Sequence, residues 1–380
     1  MEKTKVFIIQ KSFSFYRKAI FDRLSSEYNL TVLHSRVAQG IRQIQTSYSK
    51  EIRHLKYWKK NTTIYLFCMS VIRKERPQIV IHEFTPSILS IFVVLFFRRF
   101  YHYKLILWGH GLNRSKSNDR SLSIYLRKYL IKKADAVLLY GDESKQRINS
   151  FIPSKKYFVA FNSLDTEGLL KIFNQLQLSG FKKIKEELCI KYKYNIVFIG
   201  RLLEAKLLIN YFLKIIKGLN DSLNDLGIII IGDGPEKNTL IEGFKSYKID
   251  NYTMTGAIHD ELMLGKYLFI SDLMLMPGYV GLAVNHAFSF NIPVVSFKEG
   301  VNGPYHSPEI EYLISGETGY LAKAYNIKEI TSFIVNYLEN KELQAKMKKN
   351  IRKCIDEKCN ISNMKKGFVE AINYSLASNE

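Results

Sequence analysis

Short apolar runs alternate along this chain with longer stretches whose apolar residues recur at helical spacing. Such alternation is typical of parallel sheets covered by helices. In the first half the apolar runs predict strands at 5–10, 30–33, 78–82, 103–108, 136–140 and 158–161. In the second half they predict strands at 196–199, 228–231, 252–255, 273–276 and 293–296, and a short one within 309–320.

A chain of 380 residues is too long for one ordinary core, so two domains are expected. We predict an α/β protein with two Rossmann-like, doubly wound domains that face a cleft. The first domain would span 1–170 on the acceptor side, followed by a Lys-, Gln- and Glu-rich connector at 171–190. The second would span 191–340 and bind a nucleotide sugar. A charged helical tail at 341–380 could pack back on the first domain.

Glycines or cations directly follow three apolar runs in the second half. Ligands of open α/β sheets bind where strands end, and a helix that starts there offers free N–H groups to an anion. Arg201 and Lys206 add two positive charges, which predicts a pyrophosphate site, although both could be surface cations. A dinucleotide fingerprint would need a third glycine where Lys237 stands.

The ordered set of motifs resembles the retaining glycosyltransferases of family 4, which have the GT-B architecture. The motifs are Gly200-Arg201-Leu202 with Lys206, 232–235, 255–256, 272–277, 281–295, 308–310 and 316–319, with 108–111 and 162–165 in the first half. The resemblance implies retention of anomeric configuration and a diphosphate held by Arg201 and Lys206. It also implies donor contacts at Gly200, Gly232, Gly234, Gly256, Gly281 and Leu282.

The family usually carries two glutamates that flank its Gly-Leu step, and this chain departs from that pattern. No acid closely precedes Gly281, and His286 occupies the position in the following helix. An imidazole can hydrogen-bond ribose hydroxyls, so His286 is a candidate donor contact, although it could be a packing residue. Glu309 is a candidate for the catalytic carboxylate role, with Glu311 as the alternative; Glu309 could instead be a loop carboxylate that caps the next helix.

Three candidates lie in the first half. His110 stands between two glycines after a predicted strand, and we expect it beside the transferred sugar, although a lone histidine is often structural. Glu83 follows another strand at the carboxyl edge and is a candidate acceptor contact. Asn113 is a second acceptor-side candidate.

Positive charge is concentrated in the first half. Residues 1–170 hold 30 Lys/Arg against 12 Asp/Glu, a balance of +18, whereas residues 171–380 hold 26 against 23, a balance of +3. Such a field attracts nucleic acid, anionic lipid or a phosphorylated substrate. Aromatic residues interleave with the cations at 96–104, which suits a single-strand nucleic-acid binder and a peripheral membrane surface equally. The donor-site pattern of the second half favours the inner-membrane surface over nucleic acid. The apolar run 88–97 is too short to span a bilayer; it predicts a buried helix or one that dips into a monolayer.

The remaining chemistry narrows the function. The four cysteines are scattered along the chain, which fits a reducing cytoplasm. The sequence contains no Asp-x-Asp motif of the kind that binds a metal ion. We expect no cofactor besides the nucleotide diphosphate sugar as co-substrate. The hypothesis is a cytoplasmic, membrane-peripheral glycosyltransferase that modifies a hydroxyl of a lipid-linked glycan in bacterial capsule or lipopolysaccharide assembly. The alternatives are a nucleotide-sugar epimerase or phosphorylase on the same scaffold, and an inactive basic binding protein.

Overall fold

The computed structural model describes residues 3–35, 43–57, 62–65, 68–112, 121–301 and 303–377. The chain divides into two compact units. The first unit joins Met1–Asp165 with Ile361–Glu380, and the second unit is Thr166–Asn360.

A seven-stranded parallel sheet forms the first unit within the described residues. Its order is β3-β2-β1-β6-β7-β8-β9, and a separate antiparallel pair is formed by β4 and β5. The strands are β1 (Lys5–Gln10), β2 (Asn29–His34), β3 (Ser49–Glu51), β4 (His54–Tyr57), β5 (Thr62–Tyr65), β6 (Ile79–Glu83), β7 (Lys104–Gly109), β8 (Ala136–Leu139) and β9 (Tyr157–Val159).

Helices cover both faces of this sheet. Successive strand residues point to opposite faces, and both sets are apolar, so each face must be buried. On β7, Leu105 and Leu107 join one buried cluster, whereas Ile106 and Trp108 join the other. The helices are α1 (Lys18–Glu27), α2 (Cys68–Glu75), α3 (Ser90–Tyr101), α4 (Ser121–Lys133), α5 (Asp142–Phe151) and, from the end of the chain, α14 (Ile361–Ala377). Phe368 of α14 packs edge-on against Trp108, with ring centroids 4.8 Å apart.

The second unit has a six-stranded parallel sheet in the order β12-β11-β10-β13-β14-β15 across its described residues. Its strands are β10 (Tyr194–Ile199), β11 (Leu226–Ile231), β12 (Tyr252–Gly256), β13 (Leu273–Leu275), β14 (Val294–Phe297) and β15 (Gly319–Ala322). Its helices are α6 (Thr166–Ser179), α7 (Phe181–Glu187), α8 (Leu213–Asn220), α9 (Lys237–Ser246), α10 (Glu261–Phe269), α11 (Ala283–Ser289), α12 (Ile327–Glu339) and α13 (Lys341–Glu357).

The prediction of an α/β protein with two Rossmann-like units is confirmed. Two segments have a more definite form than the sequence indicated. The expected connector at 171–190 contains most of α6 and all of α7, and α6 buries Leu169, Phe173 and Leu176. The segment 341–380, expected as one tail, gives α13 to the second unit and α14 to the first.

Every helix in the described part of the chain is too short or too polar to cross a bilayer.

Candidate functional site

The strand order of the second unit reverses between β10 and β13. Ligands of doubly wound sheets bind outside the carboxyl ends of the strands at such a switch point. The loops that leave β10 and β13 carry residues 200–206 and 277–281, so the predicted cations and glycines lie at this point of the sheet.

At this edge of the sheet, glycines allow the main chain of one turn to pack directly against the main chain of another. A Cβ atom on Gly232 would lie 1.9 Å from the carbonyl oxygen of Gly200. One on Gly234 would lie 2.5 Å from the Leu202 oxygen, and one on Gly278 would lie 2.2 Å from the Ala205 oxygen. Gly232 also has a φ of +152°, which favours glycine. These positions therefore exclude side chains and bring backbone dipoles together.

Lys206 is fixed between the two loops. Its Nζ donates to the main-chain oxygen of Tyr279 at 2.5 Å and lies 4.9 Å from the centre of the Tyr279 ring. Burial lowers the pKa of Lys206 to about 8, while the charge of Glu309 acts in the opposite direction. At pH 7 the ammonium is therefore mostly charged and close to its titration range.

Arg201 is exposed directly after Gly200, and it forms no hydrogen bond or ion pair with any residue that the structure describes. The amide N–H groups of Gly281 and Leu282, ahead of α11, likewise have no hydrogen-bond acceptor within the described residues. This edge therefore offers a guanidinium, an ammonium and main-chain donors, a combination that suits a phosphate group.

Glu309 lies in the 3₁₀ turn Pro308–Tyr312 and is 1% exposed. Because its charge acts on Lys206, the structure brings these two predicted residues together. The charge of Glu309 therefore favours the ammonium form of Lys206.

His286 and Gly256 lie elsewhere along the same edge. The His286 Nε2 is 3.3 Å from a carboxylate oxygen of Glu261 on α10, and no hydrogen bond or ring contact joins it to Lys206 or Tyr279 among the described residues. The carbonyl of Gly256 accepts the N–H of Gly232 at 2.9 Å. Gly256 is thus hydrogen-bonded to the glycine turn that follows β11, whereas His286 pairs with the carboxylate of Glu261.

The first unit has its own switch point between β1 and β6. The amide of Lys11 donates to a carboxylate oxygen of Glu83 at 2.7 Å across it. Burial raises the pKa of Glu83, and the Lys11 amide and the charges of Lys11 and Arg17 oppose that rise. The acid predicted for the acceptor side is therefore held in place at the switch point of this sheet.

His110 is exposed after β7, and its ring meets that of Tyr140 edge-on with centroids 4.9 Å apart. A Cβ atom on the following Gly111 would lie 2.5 Å from Ile148, and its φ is +72°. Gly111 therefore keeps the chain close to α5 beside the histidine. Asn113, the other acceptor-side candidate, lies outside the described residues.

Sequence reasoning missed Arg17, which is only 7% exposed. Its Nη1 donates to Asn162 at 2.7 Å, and its guanidinium lies 4.8 Å from the Trp108 ring and 5.4 Å from the Tyr140 ring. No carboxylate comes within ion-pair distance of it in the described part of the unit. A cation held by aromatic faces instead of an acid has no short sequence signature.

Tyr279 and His306 of the second unit were also missed as site residues. Both lie in loops rich in Gly, Ser and Pro that follow strands, and this is the signal that could have found them. No three His, Cys, Asp or Glu side chains of the described ranges gather closely enough to hold a metal ion.

Comparison with known proteins bears on the second unit most directly. Residues 181–354 match the family described as "Glycosyl transferases group 1". The matched segment lies within the second unit and is slightly less than half of the chain. The matched segment contains the loops that carry Arg201, Lys206 and Gly281.

Two curated relatives match longer parts of the chain than this segment. An uncharacterised glycosyltransferase of Methanocaldococcus jannaschii is 26% identical over 281 residues, which are 68% of this chain and 66% of that protein. An uncharacterised 41.2 kDa protein in the cps region of Klebsiella pneumoniae is 27% identical over 226 residues, which are 58% of this chain and 57% of that protein. The chain therefore spans 66% and 57% of the lengths of these two curated relatives, which is less than two thirds in both cases.

The whole described fold resembles a solved structure, Anabaena HepE in complex with UDP. The TM-score is 0.71 at 14% sequence identity, and the match covers 97% of this chain and 99% of HepE. At this identity the likeness shows the fold alone, that of a GT-B protein with two Rossmann-like domains.

Proposed function

We propose that this protein is a metal-independent glycosyltransferase that takes a sugar from a nucleotide diphosphate sugar. The observation that carries the proposal is the switch point of the second unit, where Arg201, Lys206 and the amides of Gly281 and Leu282 offer positive charge at one sheet edge. The family match of the same residues and the UDP complex of HepE support a nucleotide donor.

The chemistry follows from the leaving group. As the bond between the sugar and the diphosphate breaks, negative charge grows on the β-phosphate. Arg201 and Lys206 would stabilise that charge, and preorganised stabilisation of this kind often contributes more to catalysis than any other effect. We propose retention of anomeric configuration by analogy with the resembled family, with Glu309 holding Lys206 charged and in place.

Donor binding is tested by thermal shift with a panel of UDP-, GDP- and CMP-sugars. We expect one nucleoside diphosphate sugar to raise the melting temperature. Arg201→Ala should lose that shift and should reduce turnover by about a hundredfold, the loss typical for one charge-stabilising donor.

The control is Lys217→Ala, which removes an equal charge from an exposed i,i+4 pair with Asp221 in the same unit. It should behave as the wild type. Turnover of Arg201→Ala equal to that of Lys217→Ala would contradict the proposed function.

We also propose that the acceptor is a lipid-linked glycan of surface-polysaccharide assembly, reached at the cytoplasmic face of the inner membrane. On α3, Phe96 is 65% exposed and Phe100 is 61% exposed. They line one groove with Arg99, Tyr129 and Lys133, so apolar rings stand among cations. Such a face suits anionic lipid, because the rings enter the interface while the cations meet phosphates.

Vesicle co-sedimentation tests this face. The protein should bind phosphatidylglycerol-containing vesicles more tightly than phosphatidylcholine vesicles, and Phe96→Ser with Phe100→Ser should abolish most of the binding. Leu178→Ser is the control, since Leu178 is 92% exposed but lies in the second unit. Equal vesicle binding by the double variant and the control would rule out this docking face.

A further inference from the structure

We propose that His306 is a positioning residue of the diphosphate site, and that its ring holds the loop 277–281 in the arrangement that serves the phosphates. This inference rests on the proposed function of that site. His306 does not touch the place where the phosphates would lie; it acts through Val280 and Tyr279.

The ring of His306 is 5% exposed and uses both nitrogens. Nδ1 accepts the amide of Val280 at 3.1 Å, and Nε2 lies 2.9 Å from the carbonyl oxygen of Phe297, the last residue of β14. A carbonyl can only accept, so this network assigns the proton to Nε2 and leaves Nδ1 as the acceptor. One neutral ring therefore connects the sheet to the loop.

The held loop is the one that fixes Lys206. The amide of Tyr279 donates to Ala205 at 2.8 Å, and the carbonyl of Tyr279 accepts from Lys206. On the other side, the amide of Ser307 donates to Val280 at 3.0 Å, and the hydroxyls of Tyr279 and Ser307 are hydrogen-bonded. A shift of Val280 would therefore move Tyr279 and the two free amides that follow.

Packing alone does not explain a histidine at this position. Val280 is fully buried, so its N–H needs an acceptor inside the unit. An apolar side chain of similar volume would fill the space and leave that N–H unsatisfied. An asparagine can place an oxygen near the position of Nδ1, whereas a glutamine reaches the position of Nε2. The two amide variants therefore separate the bond to the loop from the bond to the sheet.

The experiment measures the dissociation constants of UDP, GDP, ADP and dTDP by calorimetry, well below the melting temperature. For the nucleotide that binds the wild type best, His306→Leu and His306→Gln should weaken binding by about tenfold, the effect of one lost hydrogen bond. His306→Asn should stay within about threefold of the wild type, because it keeps the acceptor for Val280.

Thr318→Val provides a matched control. Thr318 is 2% exposed, and its hydroxyl donates to Tyr312 and accepts from Ile314, so it also ties a loop of the second unit. This variant should lower the melting temperature and leave nucleotide binding unchanged.

The outcomes are distinct. If His306→Leu binds as the wild type does, or if His306→Asn binds no better than His306→Gln, the positioning role is wrong. Should His306→Leu fail to fold, the contrast between the two amide variants still decides. Weakened binding in Arg201→Ala beside unchanged binding in all His306 variants would overturn this inference alone. If no nucleotide binds the wild type, or Arg201→Ala binds normally, the proposed function falls and this inference falls with it.

Discussion

The two switch points differ in what makes their contacts. In the second unit, the main chain of one turn packs on the main chain of another. In the first unit, a side chain makes the contact. Gly232, Gly234 and Gly278 leave no room for a Cβ atom in the second unit. In the first unit, Glu83 spans from β6 to the amide of Lys11. The same strand arrangement thus presents amides and cations in one unit and a carboxylate in the other.

The difference is consistent with the ligands that we propose for the two edges. A phosphate is large, charged and symmetrical, so several amides and two cations can share it without a precise side chain. A sugar hydroxyl is small and neutral, and it is recognised by a carboxylate or an imidazole at a defined angle. We therefore interpret the second unit as the donor side and the first as the acceptor side.

The largest expected effect comes from placing a side chain where the turns of the second unit pack main chain against main chain. Gly232→Ala should destabilise the second unit by about 3 kcal/mol, because the new methyl meets a main-chain oxygen that cannot move aside. Both tryptophans of the chain, Trp58 and Trp108, precede residue 166. Tryptophan fluorescence in urea therefore reports the first unit, whereas circular dichroism reports both.

We expect the variant to shift only the circular-dichroism transition. Gly218→Ala is the control, since its Cβ atom would make an ordinary 3.5 Å contact on α8, where alanine favours the helix. If the fluorescence transition of Gly232→Ala shifts as much as its circular-dichroism transition, the effect is not confined to the second unit, which would contradict the prediction.

The second-largest effect, a tenfold loss of transfer efficiency, is expected at the switch point of the first unit. Glu83→Gln keeps an oxygen for the Lys11 amide but loses the charge, so transfer to the acceptor should become about tenfold less efficient. Affinity for UDP, measured by calorimetry, should not change. Transfer can be followed from a radiolabelled nucleotide sugar into a bacterial lipid extract.

Glu75→Gln is the matched control for this prediction, because Glu75 pairs with Lys50 at the carboxyl end of α2. It should transfer as the wild type does. A loss of UDP affinity in Glu83→Gln would place the acid on the donor side instead.

The smallest effect concerns pH. We propose that the charged form of Lys206 binds the diphosphate, and burial lowers the pKa of Lys206 in the free protein to about 8. Above that pH the free site loses its proton and must regain it on binding, so affinity falls as pH rises. Between about pH 7 and pH 8.5 the dissociation constant of UDP should increase about fourfold.

Lys206→Arg should remove this pH dependence, because arginine stays charged throughout the range. Calorimetry in buffers of different ionisation enthalpy would also detect the proton uptake. A slope that persists in Lys206→Arg would assign the titration to another group.

Strands with strong apolar runs could be predicted from the sequence, and so could the glycines and cations that follow them. β1 begins and ends at the predicted residues, and β10, β11 and β12 lie within one or two residues of theirs. β3 and the β4–β5 pair were missed because their short, polar sequences, such as Ser-Lys-Glu, carry no periodicity.

The rest of the site depends on contacts between residues that are distant in the chain. Tyr279 meets Lys206 over 73 positions, and Arg17 meets Asn162 over 145. Neither pair has a fixed spacing, because each is set by how the strands are ordered in a sheet. His286 shows the same limit: its partner Glu261 lies on a different helix, which no local pattern relates to it.

The return of α14 to the first unit has a consequence for synthesis on the ribosome. Met364, Phe368 and Ile372 complete the apolar layer that Trp108 joins, and Gly367 lets this helix lie close to the main chain of Val159. All of the second unit is translated before these residues emerge. The first unit consequently closes after the whole of the second unit has been translated, and a nascent chain carries an uncovered face of the first sheet until α14 has been synthesised.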